Sequence, residues 1–348
     1  MSEPTDDAVL EARNLSVDFA LPARARLRAV DDVSLRVRDG DVYALVGESG
    51  CGKSTLAAAL LNLLPDPGVI AGGDVLLRGK SLRSMTAEEL RRIRMAEVAM
   101  VFQAAMSGFN PVVPIGHQIG HVLQAHPDVW PSRKEGLEYF DHLLELVRLP
   151  GGRLRDRYES QLSGGMKQRV AIAFACALKP SVLILDEPTT ALDVINQRLV
   201  IDVLRDLREN LGMTIMFVTH DLSVVAELAT TVGVMYAGRM VQVAPIDAIF
   251  YDSRRHPYVQ ALLASIPNVL QAGRTATSVP GQVPRLDRLP PGCRFAPRCP
   301  QAEDVCERED PPLIDDGHRN AVACHPLNRH LRPADGTCRT PVTGVNGA

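Results

Sequence analysis

The 348-residue chain carries 38 Lys and Arg against 41 Asp and Glu, a formal net charge of -3, with 46% hydrophobic and 23% charged residues. That length holds one large or two smaller domains with a real core, and the mild acidity excludes a nucleic-acid-binding surface spread over the whole molecule. No apolar run reaches the roughly 18–20 residues that cross a bilayer, and the acidic start Met1–Asp7 lacks a signal-peptide core, so the chain is expected in the cytoplasm.

From residue 8 to about 270, short β-rich runs alternate with helical patterns, as in an α/β fold with a largely parallel sheet. Asp41–Val46 is the first buried strand. It runs into Gly47-Glu48-Ser49-Gly50-Cys51-Gly52-Lys53-Ser54, which fits G-x-x-x-x-G-K-[ST], and a helical run follows from Thr55 to Leu64. Strand, glycine loop and helix in that order are the context of a phosphate loop. The glycines Gly47, Gly50 and Gly52 allow a nest of backbone N–H groups, so Ser49, Cys51 and Thr55 also become candidate nucleotide contacts. Lys53 is expected to reach the β- and γ-phosphates and Ser54 to ligate Mg²⁺.

A strand-like run, Val98–Phe102, leads to Gln103, and from there to about Ser160 the pattern is helical and irregular, like an inserted subdomain. In Leu162-Ser163-Gly164-Gly165-Met166, followed by Lys167-Gln168-Arg169, a Ser-Gly-Gly turn opens an amphipathic helix. Such a turn either caps the helix or presents free N–H groups and a positive dipole end to an anion. Val182–Leu185 is a buried strand that ends in Asp186 and Glu187. Adjacent carboxylates repel and need a cation or a proton, and the pleat sends them to opposite sides. Asp186 is therefore assigned to Mg²⁺ and Glu187 to polarising the attacking water. Thr214–Thr219 ends at His220, and Val232–Tyr236 with Met240–Val243 forms a hairpin across Ala237-Gly238. There is no internal duplication.

The last segment differs in kind. Val279–Ala348 contains 13 Leu, Ile, Val or Phe in 70 residues, too few for a conventional core, together with 11 of the 25 prolines. It also holds Cys293, Cys299, Cys306 and Cys324, spaced C-x₅-C-x₆-C-x₁₇-C, with Cys338 left over. Disulfides are disfavoured in the cytoplasm, so the four thiols hold a metal centre or stand free. The gaps are wider than the two to four residues usual between paired zinc ligands, which leaves zinc, an iron–sulfur cluster and four free thiols open. Cys51 and Cys176 are read as passive.

In this order the motifs resemble those of the ATP-binding cassette (ABC) family, whose signature is LSGG. The resemblance implies a P-loop cassette at 8–270 with a helical subdomain at about 103–160 inserted, and a C-terminal extension at 271–348. It assigns Gln103 to Mg²⁺ and the lytic water, His220 to the γ-phosphate, and Asp193 in Thr190-Ala191-Leu192-Asp193 to the link between two sites of a dimer. Ser163 and Gly165 are assigned to the ATP of a facing cassette, and Phe19 is the best match for the aromatic that stacks on adenine.

Phe109-Asn110-Pro111, Ile115–Ile119, His220-Asp221-Leu222 and Arg255-His256-Pro257-Tyr258 resemble the dipeptide, oligopeptide and nickel importer subgroup, some of whose members carry a [4Fe-4S] cluster on the C-terminal cysteines. Two departures stand out, Ala104-Ala105 after Gln103 and Gln242 where an acid is common. The resemblance implies a peripheral ATPase on the cytoplasmic face of the membrane that powers import of a peptide-like solute, with ATP, Mg²⁺ and the cluster as cofactors. Its partners would be a second cassette, two transmembrane permease subunits and, indirectly, a solute-binding protein, with no nucleic acid. Competing functions are a soluble ABC ATPase acting on nucleic acid or ribosomes, and a cluster-regulated ATP-binding sensor.

Overall fold

The computed structural model describes residues 8–22, 26–103, 108–265, 279 and 281–331. Ala104-Ala105, the boundary near 270, Pro267 and Cys338 lie outside them. Along the chain, strands β1 (Ala8–Ala20), β2 (Arg26–Arg38) and β3 (Val42–Val46) precede helix α1 (Lys53–Ala59); β4 (Gly68–Leu77), β5 (Lys80–Ser81), α2 (Ala87–Ile93) and β6 (Val98–Val101) follow. Helices α3 (Ile115–Ala125), α4 (Arg133–Leu146), α5 (Gly151–Leu154) and α6 (Gly164–Ala175) then run to β7 (Val182–Asp186), α7 (Val194–Leu211), β8 (Thr214–Thr219) and α8 (Leu222–Leu228). The remainder is the hairpin β9 (Thr231–Tyr236) and β10 (Arg239–Pro245), α9 (Ile246–Tyr251), α10 (Pro257–Ala264), α11 (Asp304–Arg308), β11 (Ile314–Asp315), β12 (Ala321–Val322) and α12 (His325–Asn328).

The described residues form two compact units, one within 8–10, 37–42 and 77–218, the other within 11–36, 43–76 and 219–331. In the first, β6, β7 and β8 pair in parallel, Val98 opposite Val182 and Val182 opposite Thr214. Every residue of β7 and β8 is buried. A strand covered on both faces loses the inside–outside alternation, which is why Val182–Asp186 is a continuous apolar run until its acid. Between β6 and β7, Phe140 of α4 meets Phe174 of α6 edge-on at 6.3 Å, and Phe109, ahead of α3, meets Phe174 edge-on at 5.8 Å.

In the second unit, β3 lies parallel to β9, and β10, β12 and β11 continue the sheet antiparallel. A separate sheet places β1 between β2 and β4. The sequence pattern does not single out β1 or β2. Asn14 and Asp32 interrupt them at φ 48° and 53°, with the Asn14 amide donating to Asp32 at 2.9 Å, so the period-two alternation restarts in mid-strand.

The metal centre expected on the cysteine-bearing segment finds no support in the geometry. Among the described residues, no group of three or more His, Cys, Asp or Glu side chains is gathered closely enough to hold a metal ion. The six described cysteines, Cys293, Cys299, Cys306 and Cys324 included, are free thiols. Burial pushes Cys293 up to about 12 and Cys324 up to about 11. Polar groups staple the segment where apolar residues are few. Its strand β12 extends the sheet beside β10. Arg254 reaches the carbonyls of Asn320 and Ile314, the Asn328 side chain at 2.7 Å and the Asp316 carboxylate at 3.3 Å. Gln242, wholly buried, uses both ends of its amide: it donates to Asn320 and accepts from the His256 N–H, each at 2.9 Å. A carboxylate there could not donate, which accounts for an amide in place of an acid.

Replacing Arg254 by Ala should loosen this segment, at a cost of about 2–4 kcal/mol from several charge-assisted bonds lost together. Limited proteolysis reads the effect directly: cleavage within 281–331 should accelerate, and an unchanged digestion pattern would show that the staple lies elsewhere.

Candidate functional site

The loop Gly47–Ser54 leaves the buried strand β3 and enters α1 through Gly52, whose φ is 102°. A side chain there would strike the Ala29 carbonyl, so the position requires glycine twice over, for conformation and for space. Lys53 is buried, and its ammonium donates to the carbonyls of Gly47 and Glu48 at 2.8 and 2.9 Å, with the Cys51 sulfur at 3.7 Å. The loop is thereby curled around its own cation. Ser49, Gly50 and Ser54 are exposed and Thr55 half-buried, leaving the rim open to a polyanion. Burial raises the Cys51 thiol, consistent with a packing role. Phe19, on β1, is half-buried with its ring edge close to Gly68.

In the other unit, Asp186 ends β7 almost fully buried and Glu187 follows with φ at 49°, a left-handed conformation costly for a glutamate. Its N–H donates to the Val218 carbonyl at 3.0 Å, which holds the bend. The carboxylate is fixed from two sides, by Gln103 Nε2 at 3.2 Å and by the Thr190 hydroxyl at 2.7 Å. The pairing of Gln103 with Glu187 was readable as two separate motifs. Thr190 was missed as a functional group, although its place three residues after Glu187, across a tight turn, was the available signal.

Ser163 caps α6 by accepting from the Met166 N–H at 3.3 Å, and Asp193 caps α7 by accepting from Asn196 at 2.9 and 2.7 Å. Those bonds hold the Asp193 carboxyl below its usual range. Asn196 also packs on Gly165, where any β-carbon would collide with its side chain. The helix start at Ser163 and the loop at Asp193 are thus tied through one side chain. Arg169, buried one turn into α6, donates to the carbonyls of Gly165, Val147 and Arg148 at 3.1, 3.2 and 2.9 Å. His220 stands exposed just after β8, ahead of Asp221, which caps α8 through the Ser223 N–H at 2.8 Å.

Phosphate loop, acidic strand end and capped Ser-Gly-Gly helix define an ATP-binding cassette. The family model described as ABC transporter matches residues 30–190, and that described as oligopeptide/dipeptide transporter, C-terminal region, matches residues 241–306. A Brucella ovis protein named as a peptide import ATP-binding protein is 43% identical over 329 residues, 91% of this chain and 96% of that one. A Brucella abortus protein of the same description is 43% identical over 321 residues, 91% of this chain and 95% of its own. Among solved structures, the ATP-binding cassette MJ0796 in a dimeric post-hydrolysis state with ADP and Pi aligns with TM-score 0.59 and 26% identity, covering 68% of this chain and 98% of that one. The protein cbiO1 of Clostridium perfringens aligns with TM-score 0.59 and 25% identity, over 74% and 99%. The chain belongs to the ABC transporter family, in its peptide-import ATP-binding branch, and is an ABC-type ATPase.

Proposed function

We propose that this chain hydrolyses ATP to drive import of peptides or a similar small solute through separate membrane subunits. The observation that carries the reading is Glu187, bent out of its strand with its carboxylate held by Gln103 and Thr190. A carboxylate so fixed accepts a proton from an attacking water without first reorganising. Lys53 and the loop N–H groups from Gly47 to Thr55 bind the phosphates, His220 contacts the γ-phosphate, and Phe19 stacks on adenine. Ser54, Asp186 and Gln103 offer only oxygen donors of the hard kind Mg²⁺ takes, and when bound the ion neutralises phosphate charge. Ser163, Gly165 and Asp193 serve a nucleotide shared with a second cassette, identical or different.

Relatives named for peptide import and the transporter C-terminal match at 241–306 support a transport role over action on nucleic acid. Among the described residues no helix is long and apolar enough to cross a membrane. We assign the path for the solute to two permease subunits fed by a solute-binding protein. We place the chain on the cytoplasmic face, its helices α3–α6 forming the inserted helical subdomain. A groove of about 330 Å³ lined by Met95, Met100, Phe102, Phe109 and Phe174 is the permease dock, since it is apolar and Phe102 is 46% exposed at its rim. The cysteine segment enters this reading as a polar-stapled appendage.

Glu187→Gln should retain ATP binding while turnover falls by about 10²–10³, the typical worth of a preorganised catalytic contact. Hydrolysis at the original rate would remove Glu187 from the role. Phe102→Glu should abolish co-purification with the permease and leave ATP binding in place, whereas undiminished co-purification would take the groove out of the interface.

A further inference from the structure

Glu48, the second residue of the phosphate loop, is a carboxylate placed where a triphosphate is to bind, which by itself opposes binding. Three groups of the same unit grip it. Its N–H donates to the Tyr258 hydroxyl at 2.8 Å, its carbonyl accepts from Lys53 at 2.9 Å, and its carboxylate receives both arms of Arg298, at 2.7 and 3.0 Å. Arg298 comes from the turn Ala296–Arg298 between Cys293 and Cys299, 250 residues further along the chain. Its side chain is only 4% exposed, and it also donates to the Tyr236 hydroxyl at 3.2 Å and the Val279 carbonyl at 3.3 Å. The guanidinium lies 5.7 and 5.9 Å from the ring centres of Tyr236 and Phe295.

The same stretch between Cys293 and Cys299 holds the other wall of the loop. Arg294 bonds the Ala237 carbonyl and the Asp31 carboxylate, and Asp31 is also paired with Arg239 at 3.0 Å. Two residues before Asp31 is Ala29, whose carbonyl abuts the α-carbon of Gly52. The cysteine-framed turn therefore anchors the beginning of the phosphate loop directly and braces the backbone against which its end rests.

We propose that Arg298 is a positioning residue for nucleotide binding, through which the C-terminal segment sets the affinity of the phosphate loop for ATP. The proposal rests on Gly47–Ser54 being the ATP phosphate site. Its physical content is charge as well as shape. A bidentate guanidinium cancels the Glu48 charge and fixes the carboxylate away from free rotation, and a buried, partly desolvated pair does so with little screening. Without Arg298, an unpaired carboxylate faces the incoming phosphates.

The test titrates MgATP into the full chain by calorimetry, with circular dichroism confirming the fold of each variant. Arg298→Met should weaken ATP binding by about tenfold or more, the scale of losing charge-assisted bonds. Adding Glu48→Gln to Arg298→Met should recover much of that loss, because the repelling charge is gone. A role for Arg298 through packing alone would not be repaired by removing its partner's charge. Should Arg298→Met fail to fold, Arg298→Lys carries the test: it keeps the charge, loses the fork, and should bind ATP several-fold less tightly. Wild-type affinity in a folded Arg298→Met or Arg298→Lys chain, or no recovery in the double variant, would overturn the proposal. Lys53→Ala is measured alongside. If it too binds ATP normally, the phosphate-loop reading itself fails; if it alone loses ATP, only the role of Arg298 does.

Discussion

Burial of the parallel strands is the constraint on which the remaining chemistry depends. β3, β7 and β8 are covered on both faces along their whole length, so none can carry an uncompensated charge within its span. Polar chemistry can begin only where each strand runs out, and it does so at once: Gly47 after β3, Asp186 and Glu187 at the end of β7, His220 after β8. The backbone must leave the sheet at these points. It pays for the turn with glycine geometry at Gly47 and Gly52 and with a left-handed Glu187, held by the Val218 carbonyl.

The same constraint made these elements legible. A continuous apolar run closed by an acid or a glycine loop is a local signal, and β3, β7, β8 and the β9–β10 hairpin lie within a residue or two of the positions expected from it. The nucleotide motifs are legible for a related reason, since their residues are contiguous or belong to short turns. β1 and β2 were not, because left-handed residues at Asn14 and Asp32 reset the alternation that marks a strand. Thr190 and Asn196 were overlooked because a hydroxyl in a turn or an amide at a helix start looks like any solvated residue until its partner is known.

The C-terminal segment shows the limit most clearly. From its composition, too few apolar residues to make a core, a metal centre seemed the way to hold it. The structure shows arginines holding it over long separations: Arg254 with Asn328, 74 residues away, and Arg298 with Glu48, 250 residues away. No local pattern encodes such pairs. Capping and function also need not exclude each other. Ser163 and Asp193 cap their helices in this structure, and a cap that fixes a helix start also fixes where its remaining N–H groups point.

On the proposed reading this chain is one half of an ATPase, supplying the phosphate loop and the carboxylate that takes a proton from water, and dependent on a second cassette for the rest. The direct measurement is the rate of MgATP hydrolysis per chain, taken across a range of protein concentrations and then with the second cassette and permease subunits added. The account predicts slow hydrolysis by the isolated chain and a marked rise on assembly. Fast turnover by the isolated chain, independent of its concentration and unaltered by the partners, would contradict it.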